Sequence, residues 1–565
     1  MWLFILFIAL RRISGDSYTE ELKIRRLAPG NIFTEFQLDI SSGDVQLGSE
    51  YTLFPRILAE IISSHSVVEL SFHLTQGRWY SSTWGLPPQP SGPTGGVVHA
   101  WILGNATTVD AKWRALINSL NGVFCTALTS VVPELTSSPK FGFKRLDTGT
   151  SYQMELRHSA LGRETVCAEN LTPWKKLLPC KQSGLVTLFN PIKLYKSVYH
   201  SMGFELHRAC EGEECKWQLH LVMSNVVDIP IKSRRLDFST FELFGRRTTG
   251  VCKAAASSKM LVQMDDENMR LEPAPSEIIT KLEDRFAVYD LQNNKTEYPF
   301  SVSAFYGSPF SPKSAQMHAL VSVSSFVGGS DQVAGVLASV LTNAGETQRV
   351  IYSHQLPWFL LIYYHTITLT CKDLLSGQKQ VPIIYDRYFA PSITREKPAL
   401  LEWDLDIPRK SECRLQISFD KAFMRIREYP PDANHGMYVP AATLTLVRNS
   451  SLVQENGNTT REGPITLYGN TLLIVLPVPD FSMPFNVICF VMTTVSLCFG
   501  PIHSFSTKML IPVNSALPSS SLARKAFRLF LLTMLVLASY AQYKEMSLHE
   551  IRRSIEHFFD KMNSV

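Results

Sequence analysis

An apolar run near the C-terminus, Met483–Phe505, is long enough to cross a lipid bilayer as one helix. It contains no Asp, Glu, Lys or Arg, and a bilayer-spanning helix needs about 20 predominantly apolar residues. Asp480 precedes the run, whereas Lys508 and the Arg524–Lys525 pair follow it. Because basic residues accumulate on the cytosolic side of a span, we predict a cytosolic C-terminal tail and a translocated N-terminal body.

The N-terminus supports translocation. Residues 1–10 are almost entirely apolar and are followed by Arg11, Arg12 and the small residues Ser14 and Gly15. This pattern is typical of a secretory signal peptide, which we predict over 1–16. The alternative is a buried N-terminal strand. With a signal peptide and one later span, the topology is single-pass type I.

Asn-x-Ser/Thr sequons lie only on the N-terminal side of the span. Any single sequon arises often by chance, but this one-sided placement favours a luminal body. We predict these glycosylation sites: Asn105, Asn170, Asn294, Asn449 and Asn458.

Eight of the ten cysteines precede the span. They lack paired zinc-type spacings and an accompanying histidine cluster, so no metal site is predicted. In an oxidising compartment, disulfides are the default. Cys210 and Cys215 can close a short loop, and Cys371 and Cys413 border predicted neighbouring strands. The pairing of the next three stays open: Cys125, Cys167 and Cys252.

Length and composition bound the fold. A chain of 565 residues is too long for one simple core. Hydrophobic residues at 45% and charged residues at 19% indicate a globular protein rather than a disordered one. The net charge of +5 comes without a dense basic patch, so nucleic-acid binding is not expected.

Period-two alternation of apolar and polar residues recurs before the span and indicates half-buried strands. We predict a mainly β fold: large luminal β-sandwich-like modules with a few helices, plus one C-terminal transmembrane helix. The predicted strands include 32–40, 68–74, 415–419 and a long central strand over 358–370; the predicted helices include 55–62 and 113–120.

A Ser/Gly/Ala-rich stretch suggests a boundary within the luminal part. The tail contains an apolar run at 527–541, then a capping-box pattern and an amphipathic stripe that ends near Phe558. The predicted division is a signal peptide 1–16, a luminal β-rich module 17–300, a variable linker 301–350, a second luminal β-rich module 351–482, a transmembrane helix 483–505 and a cytosolic tail 506–565.

No sequence motif for catalysis is present. The chain lacks the G-x-S-x-G elbow, the H-E-x-x-H zinc helix, a Walker-type loop and a G-x-G-x-x-G turn after a strand. No cysteine lies in a recognisable protease context. We therefore predict no catalytic residues, no cofactor and no intrinsic enzyme activity.

Longer stretches of the sequence identify a protein family more specifically than short motifs do. The segment Glu169–Cys180, ENLTPWKKLLPC, closely resembles a motif of the PIG-T family, a subunit of the GPI-anchor transamidase. The resemblance covers about 20–508 and weakens across 300–350. Further stretches resemble the same family in the same order: 74–79 (LTQGRW) with Trp84-Gly85, 357–365 (PWFLLIYYH), 431–438 (PDANHGMY) and 479–489 (PDFSMPFNVIC).

The resemblance implies a non-catalytic subunit in the endoplasmic reticulum membrane. Its expected partners are a caspase-like catalytic subunit and the other membrane subunits of the transamidase, with a proprotein and a GPI lipid as the substrates of the complex. Cys180 matches the family cysteine that forms an interchain disulfide with the catalytic subunit. An intrachain partner for Cys180 is the alternative.

Two other functional classes stay open from the residues alone. A free-standing type I adhesion or receptor glycoprotein would share the signal peptide, the sequons and the span. A hydrolase would need a catalytic constellation that the sequence does not display. The tail beyond 508 departs from the family pattern, and it is read as a lineage-specific extension, an interfacial helix or an incorrect gene model.

Overall fold

The computed structural model describes most of the chain before the predicted span and two helices after it. Strands contain more of the described residues than helices do, so the predicted mainly β fold is confirmed. The described residues are 16–28, 30–42, 53–128, 133–145, 153–211, 214–229, 237–266, 268–281, 284–293, 296–307, 320–329, 331–430, 432–447, 465–478, 482–508 and 522–543. The predicted signal peptide, apart from residue 16, lies outside them.

The first half of the chain builds one large sheet and one small sheet. Its strands are β1 (Ser17–Leu27), β2 (Asn31–Ser42), β3 (Val67–Gln76), β4 (Gly95–Leu103), β5 (Thr136–Ser137), β6 (Met154–Leu161), β7 (Tyr199–Glu211), β8 (Glu214–Asp228), β9 (Phe238–Ser239), β10 (Ser257–Met264), β11 (Arg270–Glu272), β12 (Glu277–Lys281), β13 (Asp284–Asp290) and β14 (Ser303–Phe305).

The large sheet has the order β12-β13-β10-β1-β2-β8-β7-β3-β4-β6-β5. Its neighbours are antiparallel except β1 and β10, which run parallel. Alternating burial along β1 is typical of a strand with one face on the core. Tyr18, Leu22 and Ile24 point into the core, while their neighbours are partly exposed. The small sheet has the order β11-β14-β9.

Helices cover the apolar face of the large sheet. Pro55 precedes the first helix, and the side chain of Asn105 caps the third by accepting from the backbone N–H of Thr108 at 3.1 Å. Trp113 and Phe124 of the third helix are buried in the core shared with the sheet. The helices are α1 (Arg56–His65), α2 (Ser81–Trp84), α3 (Ala106–Phe124), α4 (Ala168–Lys176), α5 (Pro191–Leu194) and α6 (Thr240–Phe244), with a 3-10 helix at Gly184–Leu188.

The second β region is a sandwich. Its strands are β15 (Val321–Gly328), β16 (Ala334–Asn343), β17 (Gln348–Leu356), β18 (Leu360–Ile362), β19 (Thr368–Asp373), β20 (Lys379–Gln380), β21 (Ile383–Ala390), β22 (Ala399–Ile407), β23 (Ser411–Lys421), β24 (Met437–Val439), β25 (Thr443–Leu446), β26 (Ile465–Tyr468) and β27 (Leu472–Ile474), with 3-10 helices at Tyr364–Thr366, Ile426–Glu428 and Ala433–His435.

Two sheets of this region pack face to face. One has the order β15-β16-β23-β19-β20, with β18 also paired to β23, and the other has the order β21-β22-β17-β25-β26. Leu341 and Cys413 from the first sheet share a buried cluster with Tyr352 and Trp403 from the second. Such interdigitation of inner faces is the core of a β-sandwich. A short ladder pairs β24 with β27.

Two predicted segments, a linker and a strand, differ from the structure. The segment 301–350 is not a linker: it contains β14, β15, β16 and the start of β17. The predicted strand 358–370 is divided into β18, a 3-10 helix and the start of β19. Both β regions belong to one compact unit, Met1–Pro479.

The second unit, Asp480–Val565, contains α7 (Ser482–Ser506) and α8 (Leu522–Tyr543). Within α7, Phe485–Ser506 has a mean hydropathy of 1.8 and is long and apolar enough to span a membrane. This agrees with the predicted span 483–505. The apolar run 527–541 lies in α8, and the predicted amphipathic stripe after it lies outside the described residues.

Candidate functional site

The candidate site is built around the segment 168–180, where α4 leads to Cys180. Leu171, Trp174 and Leu178 recur at helical spacing and are buried in the main core. The indole Nε1 of Trp174 donates to the carbonyl oxygen of Gly203 in β7, 3.1 Å away. The motif therefore folds as a helix anchored on the large sheet.

Asn170 anchors the start of α4. Its Oδ1 accepts from the backbone nitrogen of Cys167 at 2.7 Å, and its Nδ2 donates to the carbonyl oxygens of Phe124 at 2.7 Å and Cys125 at 3.1 Å. The residue is fully buried. A glycan needs this same Nδ2, so these hydrogen bonds argue against glycosylation at Asn170, which stays a prediction.

The other predicted sequons differ in position. Asn105 is exposed at the start of α3, where its Oδ1 accepts from Thr108 and its position leaves it accessible. The remaining three lie outside the described residues: Asn294, Asn449 and Asn458.

Cys180 forms a disulfide with Cys252 in the isolated chain, with the Cα atoms 5.9 Å apart. This pairing is the intrachain alternative, and the predicted interchain disulfide at Cys180 stays a prediction. Cys180 is partly exposed, whereas Cys252 is completely buried. The two connecting segments run side by side, because Gly184 N donates to Gly250 O at 2.8 Å.

The other cysteines divide into pairs and free thiols. Cys371 and Cys413 are opposite each other on β19 and β23 and form a disulfide, the pairing proposed from the strand positions. Cys210 and Cys215 are opposite each other in the β7–β8 register. Among the described residues, the free cysteines are Cys125, Cys167, Cys489 and Cys498.

Three lysines lie within five residues of Cys180 in sequence, and Arg246 lies near one of them, Lys175. We call Lys175, Lys176, Lys181 and Arg246 the basic surface. Lys176, Lys181 and Arg246 are exposed. Partial burial and the nearby guanidinium of Arg246 lower the pKa of Lys175. Such a surface favours negatively charged groups next to Cys180.

A buried carboxyl group lies behind the disulfide. Glu20 is only 1% exposed and accepts from the hydroxyl of Ser258 at 2.9 Å and from the backbone nitrogen of Leu185 at 3.1 Å. Burial raises the pKa of Glu20 to about 7, although these hydrogen bonds oppose the shift. Sequence reasoning missed this residue, yet Glu20 occupies the apolar parity of β1 between Tyr18 and Leu22.

The described residues do not bring together the ligand groups that metal sites need. Within the ranges that the structure describes, no three His, Cys, Asp or Glu side chains come together as ligands would. Trp79, in another of the family-like stretches, packs against Trp84 and Tyr199, with ring centroids 5.2 Å apart in both pairs.

Comparisons with known proteins agree with the resemblance found in the sequence. A family model described as the Gpi16 subunit, a GPI transamidase component, matches residues 2–240 and 231–530. The match therefore extends beyond the limit of about 508 that the sequence motifs indicated.

Two curated relatives match nearly the whole chain. The GPI-anchor transamidase component PIGT of Homo sapiens is 32% identical over 538 residues, with 87% of this chain and 90% of that protein covered. The GPI transamidase component GPI16 of Saccharomyces cerevisiae is 26% identical over 565 residues, with 88% and 90% covered. The chain belongs to the Gpi16 family of GPI transamidase components.

Proposed function

We propose that this chain is a non-catalytic subunit of GPI transamidase that holds the catalytic subunit in place while GPI anchors are attached to proproteins. The observation that carries the proposal is the family match across residues 2–530. The extended β architecture supports a structural role, since it supplies large, rigid surfaces on which other chains can assemble.

The proposed location is the endoplasmic reticulum membrane, with the β-rich unit in the lumen. The apolar segment Phe485–Ser506 supports a membrane anchor, and Lys508 after it supports a cytosolic C-terminal side. Disulfides in the β-rich unit, Cys180–Cys252 and Cys371–Cys413, fit an oxidising compartment.

The proposed covalent contact with the caspase-like catalytic subunit is a disulfide through Cys180. Its support is the partial exposure of Cys180, four residues after α4, and the exposed lysines Lys176 and Lys181 on either side of it in sequence. In the isolated chain Cys180 is already bonded to Cys252. A thiol of the partner subunit therefore has to displace Cys252 from this disulfide. Once formed, the link holds the subunits at an effective concentration on the order of mM, which keeps a modest interface closed.

The test is purification of the tagged full-length chain from cells that lack their own copy, followed by non-reducing electrophoresis and a surface assay for a GPI-anchored reporter. We expect a heavier band that contains the catalytic subunit. Cys180→Ser should remove that band and lower, without abolishing, reporter display, because non-covalent contacts remain.

Cys125→Ser is the matched control, since Cys125 is a free, exposed cysteine of the same unit. It should leave the band and the reporter unchanged. A chain that purifies without the other transamidase subunits would contradict the proposal. Complete loss of display by Cys180→Ser in a fully assembled complex would contradict the non-catalytic role.

A further inference from the structure

The Cys180–Cys252 disulfide is asymmetric in its access to solvent. Cys180 is partly exposed beside the basic surface, and Cys252 is 0% exposed. The side of the bond that is open to an incoming thiolate is therefore that of Cys180 rather than that of Cys252. Attack on Cys180 makes Cys252 the leaving group, since exchange proceeds through a mixed disulfide on the attacked sulfur.

Cys252 is a poor leaving group where it lies. It belongs to the buried apolar cluster of the large sheet, and an apolar environment disfavours a thiolate. A leaving thiol with a high pKa departs slowly. Opening the disulfide from the Cys180 side is therefore slow unless a group beside Cys252 supplies a proton as the sulfur leaves.

Glu20 is a buried carboxyl group close to Cys252. It faces Cys252 across Gly184, whose φ of +72° suits a glycine. A methyl group on Gly184 would collide with Glu20 Oε1 and lie 2.8 Å from the Cβ of Cys252. The carboxyl group and the cysteine side chain thus flank one glycine that has no side chain to separate them.

We propose that Glu20 is the proton donor for a thiol–disulfide exchange that opens Cys180–Cys252. The thiolate of an incoming protein cysteine attacks the sulfur of Cys180 and forms a new disulfide with it. The Cys180–Cys252 bond breaks, and the sulfur of Cys252 takes its electron pair together with the proton of the Glu20 carboxyl. The products are a mixed disulfide at Cys180, a neutral Cys252 thiol and the Glu20 carboxylate, with no net oxidation.

The protonation state of Glu20 fits this role near neutral pH. Its pKa of about 7 leaves a substantial protonated fraction at that pH. The groups that face it are Tyr18 on the same strand, the Ser258 hydroxyl on β10, the backbone N–H of Leu185 and the ring of Tyr298. The proton donor is present below about pH 7 and is lost above it.

Naming the catalytic subunit as the source of the thiolate rests on the proposed function, but the exchange step does not. The experiment therefore uses the purified full-length chain in detergent and glutathione alone. Freed Cys252 is trapped by alkylation and counted by mass spectrometry. The rate constant is expressed per glutathione thiolate, so that ionisation of the reagent does not enter the pH profile.

We expect the wild-type rate constant to fall as pH rises through about 7, and Glu20→Gln to lower it about 100-fold at pH 6.5 and to abolish the fall. Glu21→Gln is the matched control, because Glu21 is the next residue of β1 and points away from the core. It should behave as the wild type does.

The wild-type profile tests the proposal even if Glu20→Gln fails to fold. A rate constant that is flat across pH 7 in the wild type, or an unchanged rate in a folded Glu20→Gln chain, would overturn the role of Glu20. Either result leaves the proposed function standing, since no partner is present. Loss of the proposed function would appear instead as a missing heterodimer, with the glutathione reaction unaffected.

Discussion

The carboxylate of Glu402 in the second β region lies 3.2 Å from the backbone nitrogen of Gly142 in the first. The same carboxylate accepts from the backbone N–H groups of Lys140 and Phe141. Glu402 is fully buried, and burial raises its pKa against the effect of these three hydrogen bonds. This contact joins segments 260 residues apart and is one of several hydrogen bonds between the two regions.

Removing the carboxylate should loosen this joint. Glu402→Ala leaves three N–H groups without their acceptor, and we expect a loss of about 3 kcal/mol in the free energy of unfolding. Denaturant unfolding of the full-length chain in detergent measures this. Glu412→Ala, at an exposed position of β23, is the control and should change the free energy by less than about 0.5 kcal/mol. Equal losses of unfolding free energy for the two substitutions would contradict the stabilising role of Glu402.

The two described sequons should behave differently. Thr107→Ala and Thr172→Ala each remove a sequon and leave its asparagine in place. We expect Thr107→Ala to increase electrophoretic mobility by one glycan, because Asn105 is exposed. Thr172→Ala should leave mobility unchanged, because Asn170 is buried and its Nδ2 is bonded to two carbonyl oxygens. A mobility shift with Thr172→Ala would contradict the buried position of Asn170.

Glu20 should also make stability depend on pH. Its pKa is raised from 4.5 to about 7 in the folded chain, so the folded state binds more protons than the unfolded state between these values. The stabilisation from the protonated group is complete below about pH 4.5 and is lost as pH rises through about 7.

The measurement is the free energy of unfolding of the wild type and Glu20→Gln at about pH 5 and about pH 8. The wild type should lose up to about 3 kcal/mol more than the variant over this interval. Other buried carboxyl groups cancel in the comparison. Identical pH dependence of the two chains would show that Glu20 titrates as an exposed glutamate does.

The basic surface should select among thiols by charge. We expect glutathione, which is anionic, to open the Cys180–Cys252 disulfide faster per thiolate than cysteamine, which is cationic. The double substitution Lys176→Gln and Lys181→Gln should reduce this preference several-fold at low salt, whereas Lys372→Gln in the second β region should not. A preference that survives the double substitution would mean that these lysines do not act on the incoming thiol.

Strand content was predictable because alternation is a local signal. In β23, Leu415, Ile417 and Phe419 alternate with polar residues and are buried as expected. The prediction of a linker over 301–350 was wrong for a physical reason. Two serines of this segment, Ser325 and Ser339, are buried in the sandwich. Ser325 and Ser339 share a hydrogen bond of 2.9 Å, and Ser339 also contacts the hydroxyl of Tyr352 at 2.8 Å. Small polar residues that satisfy one another can line a core, although their composition is typical of a loop.

The site was predictable only in part. The segment that ends at Cys180 was found from its resemblance to the family, but its partner Cys252 lies 72 residues away and spacing does not reveal such a pair. Glu20 left a local signal, a carboxylate on the apolar side of β1, but its position behind the disulfide depends on how β1, β10 and the segment around Gly184 meet.

The disulfide partner of Cys180, mapped by mass spectrometry in the free chain and in the assembled transamidase, is the most direct test of the proposed exchange. We predict a peptide that links Cys180 to Cys252 in the free chain. In the assembled complex, we predict Cys180 linked to a cysteine of the catalytic subunit, with Cys252 recovered as a free thiol. Recovery of the Cys180–Cys252 peptide at full occupancy in the active complex would contradict the account.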